Sequence, residues 1–242
     1  MSDRLRPLWD FGDFDATERR FREQLEREET DGGRAEVITQ LARVQGLRGD
    51  FDACERLLDE AEPLAGPSPP ANIRLELERG RMYRSSGDSE AAFPLFQSAF
   101  GRAEEAEEWY LAGDAAHMCA IAVDDLKLQE EWTQRGVELG ERQPDAAYWA
   151  GPLLNNLGWA YSDARKHGPA LELFERALDA RQRDPDNRAG LAWAQYAIAF
   201  ELRELGRAAE AVPLLEQAAE TLPDDEDVRQ ELERAREAAA AR

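Results

Sequence analysis

Apolar residues recur at spacings of three and four along almost the whole chain, the periodicity of helices that bury one face. One triplet repeats within that pattern. A small residue is followed four positions later by a large apolar one, and three later by another small one. Cys54, Leu58 and Ala61 form one such set, and Ala92, Phe96 and Ala99 a second. Ala170, Phe174 and Ala177 form a third, and Ala211, Leu215 and Ala218 a fourth. Small residues let two helices approach closely, and the large one fills the space between them. Val, Ile and Thr are scarce while Ala, Leu, Glu and Arg dominate. These are good helix formers, and the pattern predicts an all-α fold.

Two segments near the N-terminus are near copies. GDFDATERRF (12–21) and GDFDACERLL (49–58) share seven of ten residues at an offset of 37. Each reads as a turn followed by the second helix of a hairpin. Asp52 with Glu55, and Asp15 with Glu18, have the spacing of a helix-capping box. Residues 1–11 are too short for a full helix before the first copy, so it reads as a half repeat. Its uncovered side makes Trp9, Phe11 and Phe21 candidates for a second interface. Upstream of the later turns lie first helices, with Leu157, Gly158 and Tyr161 in LLNNLGWAY and Gly80 and Tyr83 in RGRMY.

These residues carry a resemblance. A Leu-Gly-x-x-Tyr stretch, then Ala-x-x-x-Phe-x-x-Ala, then a closing proline, is similar to the tetratricopeptide repeat family. Residues 154–185 fit best, ending at Asp184-Pro185, and Pro223 closes the next repeat. The anchoring small positions fall at 54, 92, about 132, 170 and 211, a period of 38–41 residues. The family period is about 34, so helices or connections are expected to be longer. The resemblance implies a single right-handed superhelical solenoid of antiparallel helix pairs over 1–242. Within it fall an N-terminal half repeat (12–29), five pairs (34–63, 70–107, 109–143, 145–183, 187–222) and a capping helix (224–241). On that cap, Val228, Leu232, Ala235 and Ala239 share one face and the other is charged. The third repeat has two registers. Trp132 and Gly136 stand in the small and large positions, or RGVELGERQP (135–144) aligns three residues away.

In such a solenoid the first helices line the concave wall. Offsets carried from the fourth repeat place Glu36, Thr39, Gln40 and Arg43 on it in the first repeat, and Arg74, Leu77, Glu78, Arg81 and Arg84 in the second. One register of the third adds Asp114, His117, Met118 and Ile121. The fourth adds Asn155, Asn156, Trp159, Ser162 and Asp163, and the fifth Trp193, Tyr196, Ala197, Phe200 and Arg203. The candidate peptide-binding residues are therefore Arg43, Arg74, Arg81, Arg84, His117, Asn155, Asn156, Trp159, Trp193 and Tyr196. Arginine forks suit carboxylates, asparagine amides both donate and accept, and aromatics supply contact area at low entropic cost. An acidic peptide with apolar anchors fits such a wall. Alternatively, the arginines pair with the chain's own glutamates and the tryptophans pack as core. The family's carboxylate clamp of Lys, Asn and Arg is not supported, because no lysine stands at these positions.

Charge narrows the partners. With 51 acidic and 30 basic residues the formal net charge is −21, which repels phosphate backbones and anionic lipid surfaces. Neither nucleic acid nor membrane is expected as a partner. No apolar window approaches the ~18 residues of a membrane span. No signal core is visible, and only two cysteines occur, so a cytoplasmic protein is expected. The strong preference for arginine over lysine hints at a GC-rich, bacterial genome. Catalytic chemistry is not evident. There is no phosphate loop, and Asp114, His117 and Cys119 do not share one helix face as a metal site requires. No cofactor, metal or catalytic residue is expected. Cys54 and Cys119 read as buried thiols, and His167 as a solvated turn residue. The sequence thus points to a non-enzymatic adaptor that binds a protein or peptide. A scaffold self-associating through the half repeat, or a sensory receptor for a signalling peptide or small molecule, is the alternative.

Overall fold

A computed structural model describes residues 3–182 and 187–241; the Asp184-Pro185 closure lies outside them. The described residues hold twelve α-helices and no strand. They form two compact units, Met1–Trp149 and Ala150–Arg242.

In the first unit a short 3-10 helix (Arg6–Leu8) precedes α1 (Phe14–Arg27), which packs on α2 (Asp31–Leu47). Three hairpins follow: α2 with α3 (Phe51–Ala65), α4 (Pro69–Ser85) with α5 (Ser89–Glu105), and α6 (Trp109–Ile121) with α7 (Leu126–Arg142). A second 3-10 segment, Pro144–Trp149, packs on α6 and α7. The second unit has two hairpins: α8 (Ala150–Asp163) with α9 (His167–Arg181), and α10 (Arg188–Glu204) with α11 (Ala208–Thr221). Helix α12 (Glu226–Ala240) covers α11. The long repeat period is taken up within the helices. Helices α2, α4, α5, α7 and α10 each run 17 residues.

The triplet rule is met in all four clear repeats. Cys54, Leu58 and Ala61, and their counterparts at 92/96/99, 170/174/177 and 211/215/218, expose at most 1% of their surface. Glycine on the first helix provides the room. A Cβ on Gly80 would meet the Phe96 ring at 2.4 Å, and one on Gly158 the Phe174 ring at 2.6 Å. In the third repeat Trp132, Gly136 and Leu139 are all buried on α7, the first of the two registers. The Trp132 ring then packs edge-on against Phe100 of α5, with centroids 5.3 Å apart.

The turn chemistry differs from the sequence expectation by two residues. The caps are Asp50 and Asp13, whose carboxylates accept from the backbone N–H of Ala53 and Ala16 at 2.9 and 2.8 Å. Asp52 and Asp15 lie inside the first turn. The cap residue must keep a non-helical backbone while its oxygen reaches the third helical N–H, and Asp50 and Asp13 meet both conditions. Gly49 before it has φ +80° with no atom within 4 Å of an added Cβ. It lets the chain fold back, so that the Asp50 N–H donates to the Gln45 carbonyl at 3.0 Å. Gly49→Ala therefore carries only the backbone cost of a left-handed L-residue, about 1 kcal/mol. Urea denaturation is expected to show that loss with an unchanged dependence on denaturant.

Candidate functional site

The first-helix wall of the first unit is built by α2, α4 and α6, and its charged side chains are largely paired with one another. Arg81 of α4 donates to Glu78 at 2.6 Å and also to Asp114 of α6. Arg43 of α2 lies 3.9 Å from Glu78. Arg74 is 5% exposed and donates to Glu36 of α2 at 3.2 Å. Arg84 is exposed and donates to the Ile121 carbonyl at 3.1 Å. The arginines are therefore paired, mostly between neighbouring helices rather than along their own. Burial opposes the ionised carboxylate of Asp114, but Arg81 and Arg43 outweigh it and hold its pKa below the usual range. Burial likewise works against the Arg74 cation, and Asp3 and Glu36 outweigh it, so its pKa is raised. For Arg43, burial and the nearby Arg81 together lower the pKa.

The partner of Arg74 that the sequence did not reveal is Asp3. Residues 3–11 run along this wall. Arg4 donates to Glu28 at 2.6 Å and Glu36 at 3.0 Å. Trp9 Nε1 donates to Gln40 Oε1 at 3.0 Å. The Arg43 guanidinium lies 5.2 Å from the Trp9 ring centre. Arg6 stands 5.6 Å from the ring centre of Tyr148. Leu5 and Trp9 enter one apolar cluster with Phe21, Val37, Leu41 and Val44. The half repeat is thus covered by the chain itself. Trp9 and Phe21 are buried and only Phe11, at 48% exposure, remains open of the three expected interface residues. That removes the uncovered face which motivated self-association.

His117 sits half-buried on α6, its ring 5.3 Å from that of Trp149. A Cβ on Gly113 would meet Trp149 at 2.4 Å, so the glycine opens the place for the indole. Sequence periodicity did not single out Trp149, because it lies in a 3-10 segment rather than on a helical face. Among the described residues, no group of three or more His, Cys, Asp or Glu side chains is placed to hold a metal ion. Both cysteines are buried, and burial pushes the Cys54 thiol up to about 12 and the Cys119 thiol up as well.

The second unit carries the aromatic candidates on α8 and α10. Trp159 is half-buried, edge-on to Phe174 at 5.0 Å and to Phe200 at 5.6 Å. Trp193 is 37% exposed and lies 5.5 Å from the half-buried Tyr196. Asn155 and Asn156 are half-buried. Trp159 is therefore largely a packing residue, and Trp193 the open aromatic. Two polar residues break the sequence expectation. His167 is not a solvated turn residue: its Nδ1 lies 2.8 Å from the fully buried Glu201 of α10. Glu231 is on the packed side of α12, where Arg203 donates to it.

Paired antiparallel helices with a small-for-large seam and a lined first-helix wall define a helical-repeat protein. The family model for the tetratricopeptide repeat matches residues 153–224. The family's sequence pattern is thus carried by the second unit, and over the rest of the chain the likeness to tetratricopeptide-repeat proteins is one of fold. No curated protein matches it in sequence. Among solved structures, BtubC (BKLC) from P. vanneervenii is similar, with a TM-score of 0.67 and 18% identity over 92% of each chain. The putative kinesin light chain, nearly identical TPR-like repeats of Podosopora anserina, has a TM-score of 0.54 and 19% identity, over 81% of this chain and 97% of that one. A signal transduction ATPase with a tetratricopeptide repeat sensor, PH0952 from Pyrococcus horikoshii, has a TM-score of 0.63 and 12% identity. It is matched over 94% of this chain and 39% of its own. At these identities the likeness is one of fold. No helix among the described residues is long and apolar enough to cross a membrane.

The half-buried setting of His117, beside Trp149 and facing Arg81, yields a pH prediction. Burial, opposed by Asp114 and aided by Arg81, lowers its pKa from 6.5 to about 4. Below pH 6.5 the unfolded chain therefore takes up a proton that the folded chain refuses. Stability is full above that pH and falls toward pH 4. At pH 5 the expected loss is about 2 kcal/mol from this residue. Urea melts of the wild type and His117→Gln at pH 7 and pH 5 should differ by that amount in their pH response.

Proposed function

We propose that this protein is a non-enzymatic adaptor that binds a peptide or protein segment through its first-helix walls. The observation that carries the reading is Trp193. A large aromatic, more than a third exposed, stands beside the half-buried Tyr196 on the first helix of its repeat. Asn155 and Asn156 on α8 supply donors and acceptors of the kind that hold an extended backbone. Tryptophan and tyrosine are the residues that most often dominate binding energy. Arg84, exposed on the first unit's wall, supplies a charge for an acidic residue of the partner. The net charge of −21 argues against nucleic acid or anionic membrane as the partner,. The cytoplasm is the compartment that fits two buried, unpaired thiols,.

The reading is tested with peptides selected from a displayed random library against the full chain. Trp193→Ala is expected to weaken the best peptide by roughly 30-fold, the effect of losing an aromatic anchor worth about 2 kcal/mol. Asn156→Ala should weaken it less. Calorimetry showing unchanged affinity in both variants would remove the second unit's wall as the binding surface.

A further inference from the structure

Trp193 and Tyr196 differ from the polar wall of the first unit in the charges around them. The two rings stand nearly perpendicular, with centroids 5.5 Å apart, and form a corner. Trp193 is its open side, at 37% exposure. Helix α12 brings carboxylates to that corner. Val228 shares a buried cluster with Ala192, and Tyr196 and Leu222 pack against it. The first turn of α12, with Asp225 and Asp227, is therefore level with the turn of α10 that carries Trp193. Tyr196 registers these charges. Burial pushes its hydroxyl pKa up, and Glu231, Asp227 and Asp225 push it further, against Arg234. Two of the three carboxylates are engaged within the chain. Glu231 accepts from Arg203 and lies 3.4 Å from Arg234. Asp225 caps α12, accepting from the Val228 N–H at 3.1 Å. Asp227 is exposed, and no cation is paired with it among the described residues.

We infer that this corner recognises a cationic side chain of the partner, arginine in preference to lysine, with the guanidinium against the Trp193 ring and Asp227 as its counter-charge. The face of an aromatic ring carries negative potential, and tryptophan holds a cation best. A guanidinium is flat and weakly hydrated, so it stacks on a ring while its N–H edge still donates to a carboxylate. An ammonium is a compact, strongly hydrated charge and covers less of the ring. An acidic side chain is repelled by Asp227 and by the net charge of −21,. The inference rests on the reading of α8 and α10 as a binding wall. It adds the charge of the group bound there, opposite in sign to the one that Arg84 suits on the first unit.

Small probes test the corner on the full chain. N-acetylarginine amide, its neutral isostere N-acetylcitrulline amide, and N-acetylglutamate amide are titrated at low salt. The readout is the Trp193 indole N–H resonance, identified by its loss in Trp193→Phe. The arginine probe is expected to shift this resonance saturably, and added salt to weaken it. The citrulline probe should bind about tenfold more weakly, having lost both the ring contact and the ion pair. The glutamate probe should leave the resonance in place. Asp227→Asn should weaken the arginine probe about threefold, the size of an exposed ion pair, and leave the citrulline probe unchanged. Asp227 also suits the positive end of α12, so Asp227→Glu is the control: it keeps the charge and should keep the affinity. Equal binding of the arginine and citrulline probes overturns the inference. So does an arginine probe that moves Trp193 no more than the other tryptophans, or an Asp227→Glu variant as weak as Asp227→Asn. Library peptides that depend on Trp193 but carry no cation would also overturn it, while leaving the wall reading intact. Library peptides indifferent to Trp193→Ala would remove that wall reading itself.

Discussion

The fold depends on one steric exchange between paired helices: a small residue on one faces a large apolar one on its partner, and in two hairpins a glycine faces a ring. Gly80 under Phe96 and Gly158 under Phe174 leave no room for even a methyl group. That contact fixes how closely the two helices of such a hairpin lie. Close-packed interiors tolerate such gaps and overlaps poorly. The small residues flanking the large one extend the seam in both directions, and all four clear triplets are buried to the same degree.

With the seam spent on packing, the outer faces of the first helices are left to polar and aromatic side chains, and the two units use them differently. In the first, carboxylates and guanidinium groups alternate between α2, α4 and α6 and neutralise one another. Buried charges are tolerated only when so paired. In the second, the equivalent places hold rings, and Trp193 remains partly open. A chain of high net negative charge thus balances the charges of its first unit's wall locally.

The N-terminal segment shows how little sequence separation says about contact. Asp3 meets Arg74 across 71 residues, and Arg6 lies against Tyr148 across 142. Neither pair belongs to any periodic pattern. Their neighbours in sequence carry no helix signal strong enough to suggest that they lie on a wall. The half repeat looked exposed because coverage by an irregular strand of chain leaves no periodicity to read.

The helices and the small-large-small seam were legible in the sequence alone, because a helix converts spacing directly into facing. The glycines were legible for the same reason, since only they allow the closest approach. What tertiary structure decided were the partners of the charges and the fate of irregular segments. Glu201 sits beside His167, Glu231 takes Arg203, and Trp149 fills the gap over Gly113. Each joins residues on different elements, and the choice of partner depends on where backbones come to rest after the apolar seams have closed. Local pattern specifies which face is buried. Only the assembled seams specify which carboxylate an arginine will find there.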